Sequence, residues 1–310
     1  MNGLIIKATG SWYQVMLDDG SSVSCRLPGR FRLDDEEIVN PVAVGDNVEV
    51  ALQKDGTGII ERIGDRKNRL VRKATHGRRG VQLIATNVDQ VLIVQSLRDP
   101  AVKPGFIDRV LVTCEAYEIP ALIIINKIDL QKKAKDAEML DQLDRLYTDL
   151  GYGFLPTSIH DQKSTELLKS RAAGKISVLT GHSGTGKSSL LNAMAPDLKL
   201  KTGEISRSSS KGKHTTTYAQ LLSLGDHTFI VDTPGIREFG LVDVEPYEIS
   251  LYFPEMRPHR ESCRFYNCTH RHEPSCAVRK ALDDKLISES RYKSYVNILE
   301  SIESGLDKAL

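Results

Sequence analysis

A strand-like run, a glycine-rich loop and a helix start constrain this chain more than any other feature. Gly181-His182-Ser183-Gly184-Thr185-Gly186-Lys187-Ser188 has the form G-x-x-x-x-G-K-S. Lys175 to Thr180 before it reads as a short buried strand, and Ser189 to Met194 after it as the first turns of a helix. That context marks a phosphate-binding loop rather than an ordinary turn. Glycines let backbone N–H groups curl around phosphate oxygens, where side chains would collide. The helix N-terminus, beginning through Ser189, adds unpaired donors and a partial positive charge. Lys187 is placed to reach the β- and γ-phosphates and Ser188 to offer its hydroxyl to Mg²⁺.

Three further stretches belong with this loop, each at the end of a strand-like run. Asn126-Lys127-Ile128-Asp129 has the form N-K-x-D. A carboxylate at Asp129 accepts from guanine N1–H and its 2-amino group, a pair of donors that adenine lacks. Asp232-Thr233-Pro234-Gly235 puts an acid near Mg²⁺ and the Gly235 N–H near a γ-phosphate. Thr157-Ser158 can supply a backbone contact to the base. Strand and helix alternate from Val88 to Val231, which predicts a doubly wound α/β domain. The motif order is unusual. An ordinary GTPase runs phosphate loop, D-x-x-G, then N-K-x-D; here N-K-I-D comes first, so the domain reads as circularly permuted.

At 310 residues, 40% hydrophobic and 27% charged, the chain fits a globular protein of two or three domains. Its start lacks the pattern of a signal peptide and its most apolar run, Ala121 to Ile125, is too short to span a bilayer. A cytoplasmic protein with no membrane contact is expected, and a monomer, since no dimer seam is visible. Net charge is only +1, but Arg62, Arg66, Lys67, Arg69, Arg72, Lys73, Arg78 and Arg79 crowd one segment opposed by Asp65. This basic linker, 62–79, reads either as a phosphate-backbone contact or as a solvated arm.

Before that linker, about five short strand-like runs with turn signals at Asp18-Asp19-Gly20 and Lys54-Asp55-Gly56 predict a small barrel of OB type. Such a barrel binds RNA or serves as a structural module. After residue 243 the pattern becomes helical around Cys263, Cys268, His270 and Cys276. Three thiolates and an imidazole make a closed tetrahedral Zn²⁺ site with no place for a catalytic water, hence a structural one. His259 and His272 are rival ligands. Cys25 and Cys114 stand apart and read as buried packing.

Taken together, barrel, permuted motifs and C-x4-C-x-H-x5-C resemble the RsgA (YjeQ/YloQ) family of circularly permuted GTPases over nearly the whole chain. Gly212-Lys213-His214-Thr215-Thr216-Thr217 matches that family's switch, and the spacing favours His270 over its rivals. The resemblance implies a GTP hydrolase that binds the small ribosomal subunit through its rRNA, is stimulated by it and acts in its late maturation. It implies an RNA-binding barrel at 1–67, a GTPase domain at 68–242 and a zinc-binding helical domain at 243–310. One threonine of Thr215, Thr216 and Thr217 would ligate Mg²⁺, with Ser188 and Asp232, and sense the γ-phosphate; Thr215 is the Mg²⁺ candidate, and Thr215 and Thr216 count among the GTP-binding residues. Ile236 follows D-T-P-G where many GTPases carry a water-orienting glutamine, so His214 is the candidate for that work. A nucleotide-gated rRNA-binding scaffold with incidental hydrolysis is the alternative reading.

Overall fold

The computed structural model describes residues 1–32, 38, 40–73, 80–131, 133–200, 219–232 and 244–304. Five strands open the chain: β1 (Asn2–Ala8), β2 (Tyr13–Leu17), β3 (Ser22–Arg26), β4 (Asn47–Leu52) and β5 (Gly58–Ile63). Alternation dictates their packing, with Val15, Leu17, Val23, Cys25, Val48, Val50 and Ile60 buried while their neighbours face out. β1 pairs with both β2 and β4, and β3 runs parallel to β5, so the strands close on themselves as the OB-type barrel.

Residues 62–73 of the basic segment are not a free arm. Arg69–Lys73 forms β6 and pairs antiparallel with β7 (Val81–Thr86), while 74–79 lie outside the described residues. Several of its charges are spent inside the protein. Arg66 makes a two-pronged contact to the fully buried Asp46 at 2.7 and 2.8 Å, and Asp46 also accepts from Thr86 Oγ1 at 2.7 Å. Arg62 pairs with Glu49 at 3.1 Å, Lys67 with Asp89, and Arg72 bonds Gln82. Residues 62–73 therefore act as a connector between barrel and sheet.

Eight elements carry the α/β domain to its phosphate loop and beyond: β8 (Gln90–Ser96), α1 (Pro104–Ala116), β9 (Ala121–Asn126), α2 (Ala134–Asp149), β10 (Gly153–Pro156), α3 (Gln162–Ala172), β11 (Ile176–Thr180) and α4 (Lys187–Met194). The hairpin β12 (Ala219–Gly225) and β13 (Thr228–Asp232) follows. The strand order is β10-β9-β8-β11-β13-β12, all parallel but β12. β8 is buried at every position, as a central parallel strand covered on both faces must be. The chain runs outward from β8 to β10, then α3 carries it back across to β11. The direction of winding thus reverses between β8 and β11, where α/β sheets place their ligands. One contact was not foreshadowed: β12 pairs with the end of β1 through Lys7↔Gln220 and Ala8↔Ala219, joining barrel and domain into one sheet.

The C-terminal part has a 3-10 run at Pro246–Tyr252, then α5 (Arg257–Arg260), α6 (Ala277–Asp283) and α7 (Glu289–Glu303). Phe253, Met256, Val278, Ile287, Tyr295 and Leu299 build its core, and Val112 from α1 packs into the same cluster. Among the described residues no helix is long and apolar enough to cross a membrane.

Candidate functional site

The carboxyl ends of β8, β9, β10, β11 and β13 share one edge, and the sequence motifs stand on the loops that leave it. Gly181 leaves β11 at φ 148° so close to β8 that a Cβ would lie 2.1 Å from the Val94 carbonyl oxygen. Gly186 precedes α4 at φ 92°, where a Cβ would lie 2.3 Å from Asn126 Nδ2. Both positions thus require glycine for conformation and space together. Between them Thr185 turns the loop back, its hydroxyl donating to the His182 carbonyl at 3.0 Å. Lys187 is buried and folds over the loop, its Nζ donating to the carbonyls of Gly181 and His182 at 2.8 and 2.7 Å. The His182 ring rests on Phe106 of α1, centroids 4.4 Å apart.

Asn126 lashes two motifs together. Its Nδ2 donates to the Thr185 carbonyl at 2.9 Å, and its Oδ1 accepts from Thr157 Oγ1 at 3.1 Å. Lys127 sits in the left-handed region at φ 63°, with Nζ held by the Asp99 carbonyl at 2.5 Å. Asp129 is exposed and accepts from Ser158 Oγ at 2.5 Å, which orients one carboxylate oxygen. Asn126, Lys127, Asp129, Leu130, Ile159, His160, Gly186 and Ser189 line a cleft of about 230 Å³ beside the phosphate loop. Ile159 and His160 were not singled out from the sequence; the signal was their place just beyond Thr157-Ser158, itself at a strand end.

Ser183 and Gly184 form the exposed crest of the loop, and Ser188 lies buried in the first turn of α4. Asp232 ends β13, next to β11, and accepts from Gln220 Nε2 at 3.1 Å. A hydroxyl and a carboxylate are the hard oxygen donors Mg²⁺ prefers, with nucleotide phosphates completing the shell. His214, Thr215, Thr216, Gly235 and Ile236 fall outside the described residues.

The second cluster gathers Cys263, Cys268, His270 and Cys276, whose ligand atoms all lie within 4.8 Å of one another. Cys263 Sγ is 3.9 Å from Cys276 Sγ, and His270 Nδ1 is 3.6 and 3.4 Å from those two sulfurs. Bonds of about 2.3 Å to sulfur and about 2.0–2.1 Å to nitrogen give tetrahedral edges of roughly 3.8 Å and roughly 3.5 Å. The residues therefore fit Zn²⁺. Burial pushes His270 down to about 4, which keeps the imidazole neutral and able to ligate. His272 is exposed, and neither it nor His259 joins the cluster. Glu273 shapes the loop by accepting from Thr269 Oγ1 and the Arg271 N–H at 2.6 and 2.9 Å. Burial opposes its charge, but hydrogen bonds from the Thr269 hydroxyl and N–H and from the Glu273 and His272 backbone hold its carboxyl down to about 2.

Comparison with known proteins finds relatives over nearly the whole chain. The model of the family described as RsgA GTPase matches residues 63–242, and that of the RsgA N-terminal domain matches 2–60. The small ribosomal subunit biogenesis GTPase RsgA 2 of Bacteroides thetaiotaomicron is 45% identical over 309 residues, covering 100% of this chain and 99% of its own. The small ribosomal subunit biogenesis GTPase RsgA of Flavobacterium johnsoniae is 45% identical over 307 residues, covering 98% and 94%. The crystal structure of YjeQ from Thermotoga maritima superposes with a TM-score of 0.79 at 34% identity, covering 97% of each chain. YloQ, described as a circularly permuted GTPase, gives 0.75 at 29% identity over 98% and 95%.

Proposed function

The chain belongs to the RsgA family of GTPases, and from that premise we propose a GTP hydrolase that works on the small ribosomal subunit during its late maturation. The observation that carries the reading is the Asn126 bridge. One side chain ties the phosphate loop at Thr185 to the base-side loop at Thr157, so both ends of a guanine nucleotide are held at a set distance.

In this account the phosphate loop, from Gly181 to Ser189, wraps the phosphates with its N–H groups. Lys187 exchanges its two loop carbonyls for β- and γ-phosphate oxygens. Asp129 accepts from guanine, with Ser158 fixing the carboxylate and Ile159 offering an apolar edge to the base. Ser188, Asp232 and Thr215 would hold Mg²⁺, which would supply positive charge against the phosphates. Gly235 faces the γ-phosphate and His214 orients the attacking water. The barrel, 1–67, and the zinc domain, 243–310, flank the GTPase unit, 68–242, as RNA-facing surfaces. GTP favours the subunit-bound state; hydrolysis releases it.

Turnover tests this reading. Purified small subunits are expected to raise steady-state GTP hydrolysis well beyond ~10-fold, as partner-completed GTPase sites do, while large subunits leave it unchanged. Equal rates with and without small subunits would favour the scaffold reading instead.

The tetrahedral edges at the Cys–His cluster support one structural Zn²⁺. Cys276→Ser is expected to abolish bound zinc and lower the melting temperature, because metal affinity here is folding free energy. Metal analysis of the purified variant checks this; full zinc occupancy without Cys276 would remove it from the ligand set.

A further inference from the structure

Cys263 and Cys268 converge on one point, so the four residues between them close into a loop that projects from the knot. Arg264, Phe265, Tyr266 and Asn267 are all exposed. Tyr266 is 85% and Phe265 40% exposed, and Tyr266 is the most exposed large hydrophobic side chain among the described residues. Neither enters the C-terminal core. Packing gives no reason for two aromatic rings here, and clustered exposed apolar surface marks an interaction site.

The surroundings define what fits. The rings of Tyr266 and Tyr247 lie 5.7 Å apart, tilted by 59°, and the Arg264 guanidinium stands 5.5 Å from the Phe265 centroid. Arg260, at the entry to the loop, has a buried Nε with no hydrogen-bond partner among the described residues. Helix α6, bearing Arg279 and Lys280, packs against α5. Acids are present too: Glu261 just before Cys263, and Glu245 and Glu248 beside Tyr247. Flat π-faces, guanidinium groups for phosphates and a few carboxylates to accept from base amino groups form the chemistry that recognises unpaired RNA.

We infer that the Arg264–Asn267 loop is a stacking platform for an unstacked base of single-stranded rRNA, with Tyr266 and Phe265 as the stacking faces. The inference rests on the small-subunit reading and names one contact within it. The alternative partner, a ribosomal protein, is an outcome of the test.

The full-length protein is bound to purified small subunits with a non-hydrolysable GTP analogue. Phe265→Ala/Tyr266→Ala is expected to weaken binding by about 5- to 140-fold, the range for loss of one base–aromatic stack. Tyr266→Trp, which keeps a flat ring, is expected to bind as the parent does. Subunit-free GTP turnover and zinc content should be unchanged in both. In parallel, a photo-crosslinking amino acid at position 266 is expected to give a ribonuclease-sensitive adduct. If the parent protein fails to bind small subunits, the functional reading fails with the inference. If the parent binds and the double variant binds equally well, or the adduct is a ribosomal protein, the inference alone is overturned. Should the double variant lose zinc, the crosslink decides.

Discussion

Lys187→Ala is expected to lower kcat/KM for GTP by about 10²–10³-fold, the usual effect of removing a donor that faces developing charge in a water-poor site. The side chain is 5% exposed and its ammonium already sits among loop carbonyls at 2.7–2.8 Å. It therefore needs little movement to meet phosphate oxygens. Lys187→Arg should also fail, because the larger planar guanidinium does not fit a loop closed by Gly181 and Gly186. Nucleotide titration and single-turnover hydrolysis would separate binding from chemistry. Near-normal turnover in Lys187→Ala would show that the loop does not hold the phosphates.

Arg291→Met is expected to destabilise the protein by about 3–5 kcal/mol, since breaking a buried ion pair strands its partners. Arg291 is fully buried on α7 and donates to Asp108 of α1 at 2.7 Å and to Glu255 at 2.7 and 3.2 Å. Its guanidinium also stands 4.7 Å from the Phe253 ring centroid. Asp108 further accepts from Tyr147 at 2.9 Å and from Ser294. Burial raises the Asp108 pKa and opposes the Arg291 charge, but Asp108 and Glu255 more than offset this for Arg291 and hold it protonated. The network bolts the zinc domain onto the helix whose Phe106 supports His182 of the phosphate loop. Thermal unfolding should show a fall of roughly 10 °C. Asp108→Asn combined with Arg291→Met should lose less than the two single changes summed, because the stranded charge is removed. An unchanged melting temperature in Arg291→Met would mean that the pair contributes nothing to docking.

What could be read from the sequence depended on how local each signal was. The phosphate loop, N-K-I-D and the Cys–His spacing are set within a few residues, and their atoms converge as that spacing requires. Strands with clean alternation, such as Tyr13–Leu17, or with continuous apolar runs, such as Gln90–Ser96, were equally visible. Long-range partners were not. The basic segment looked free because the carboxylates that neutralise Arg66, Arg62 and Lys67 lie 20, 13 and 22 residues away. Helix α3 went unnoticed because its buried stripe is only Ser164, Thr165, Leu168 and Ala172, too polar to stand out. Arg291 reads as solvated on an amphipathic helix until α1 supplies Asp108. The seam between β1 and β12 rests on backbone pairing at Lys7 and Ala8, which side-chain pattern does not encode.

The most direct test of the central claim is base preference in the subunit-stimulated reaction, measured for the parent protein and Asp129→Asn with GTP and XTP. The Asp129 carboxylate suits the two donors of guanine; an asparagine there pairs an acceptor and a donor with the N1–H and 2-oxo group of xanthine. Stimulated turnover is expected to move from GTP to XTP, with GTP use falling by ~100-fold or more, since a site built for one hydrogen-bond pattern rejects its complement. Stimulated GTP turnover that persists unchanged in Asp129→Asn would contradict the assignment of this cleft as the site where the guanine nucleotide binds.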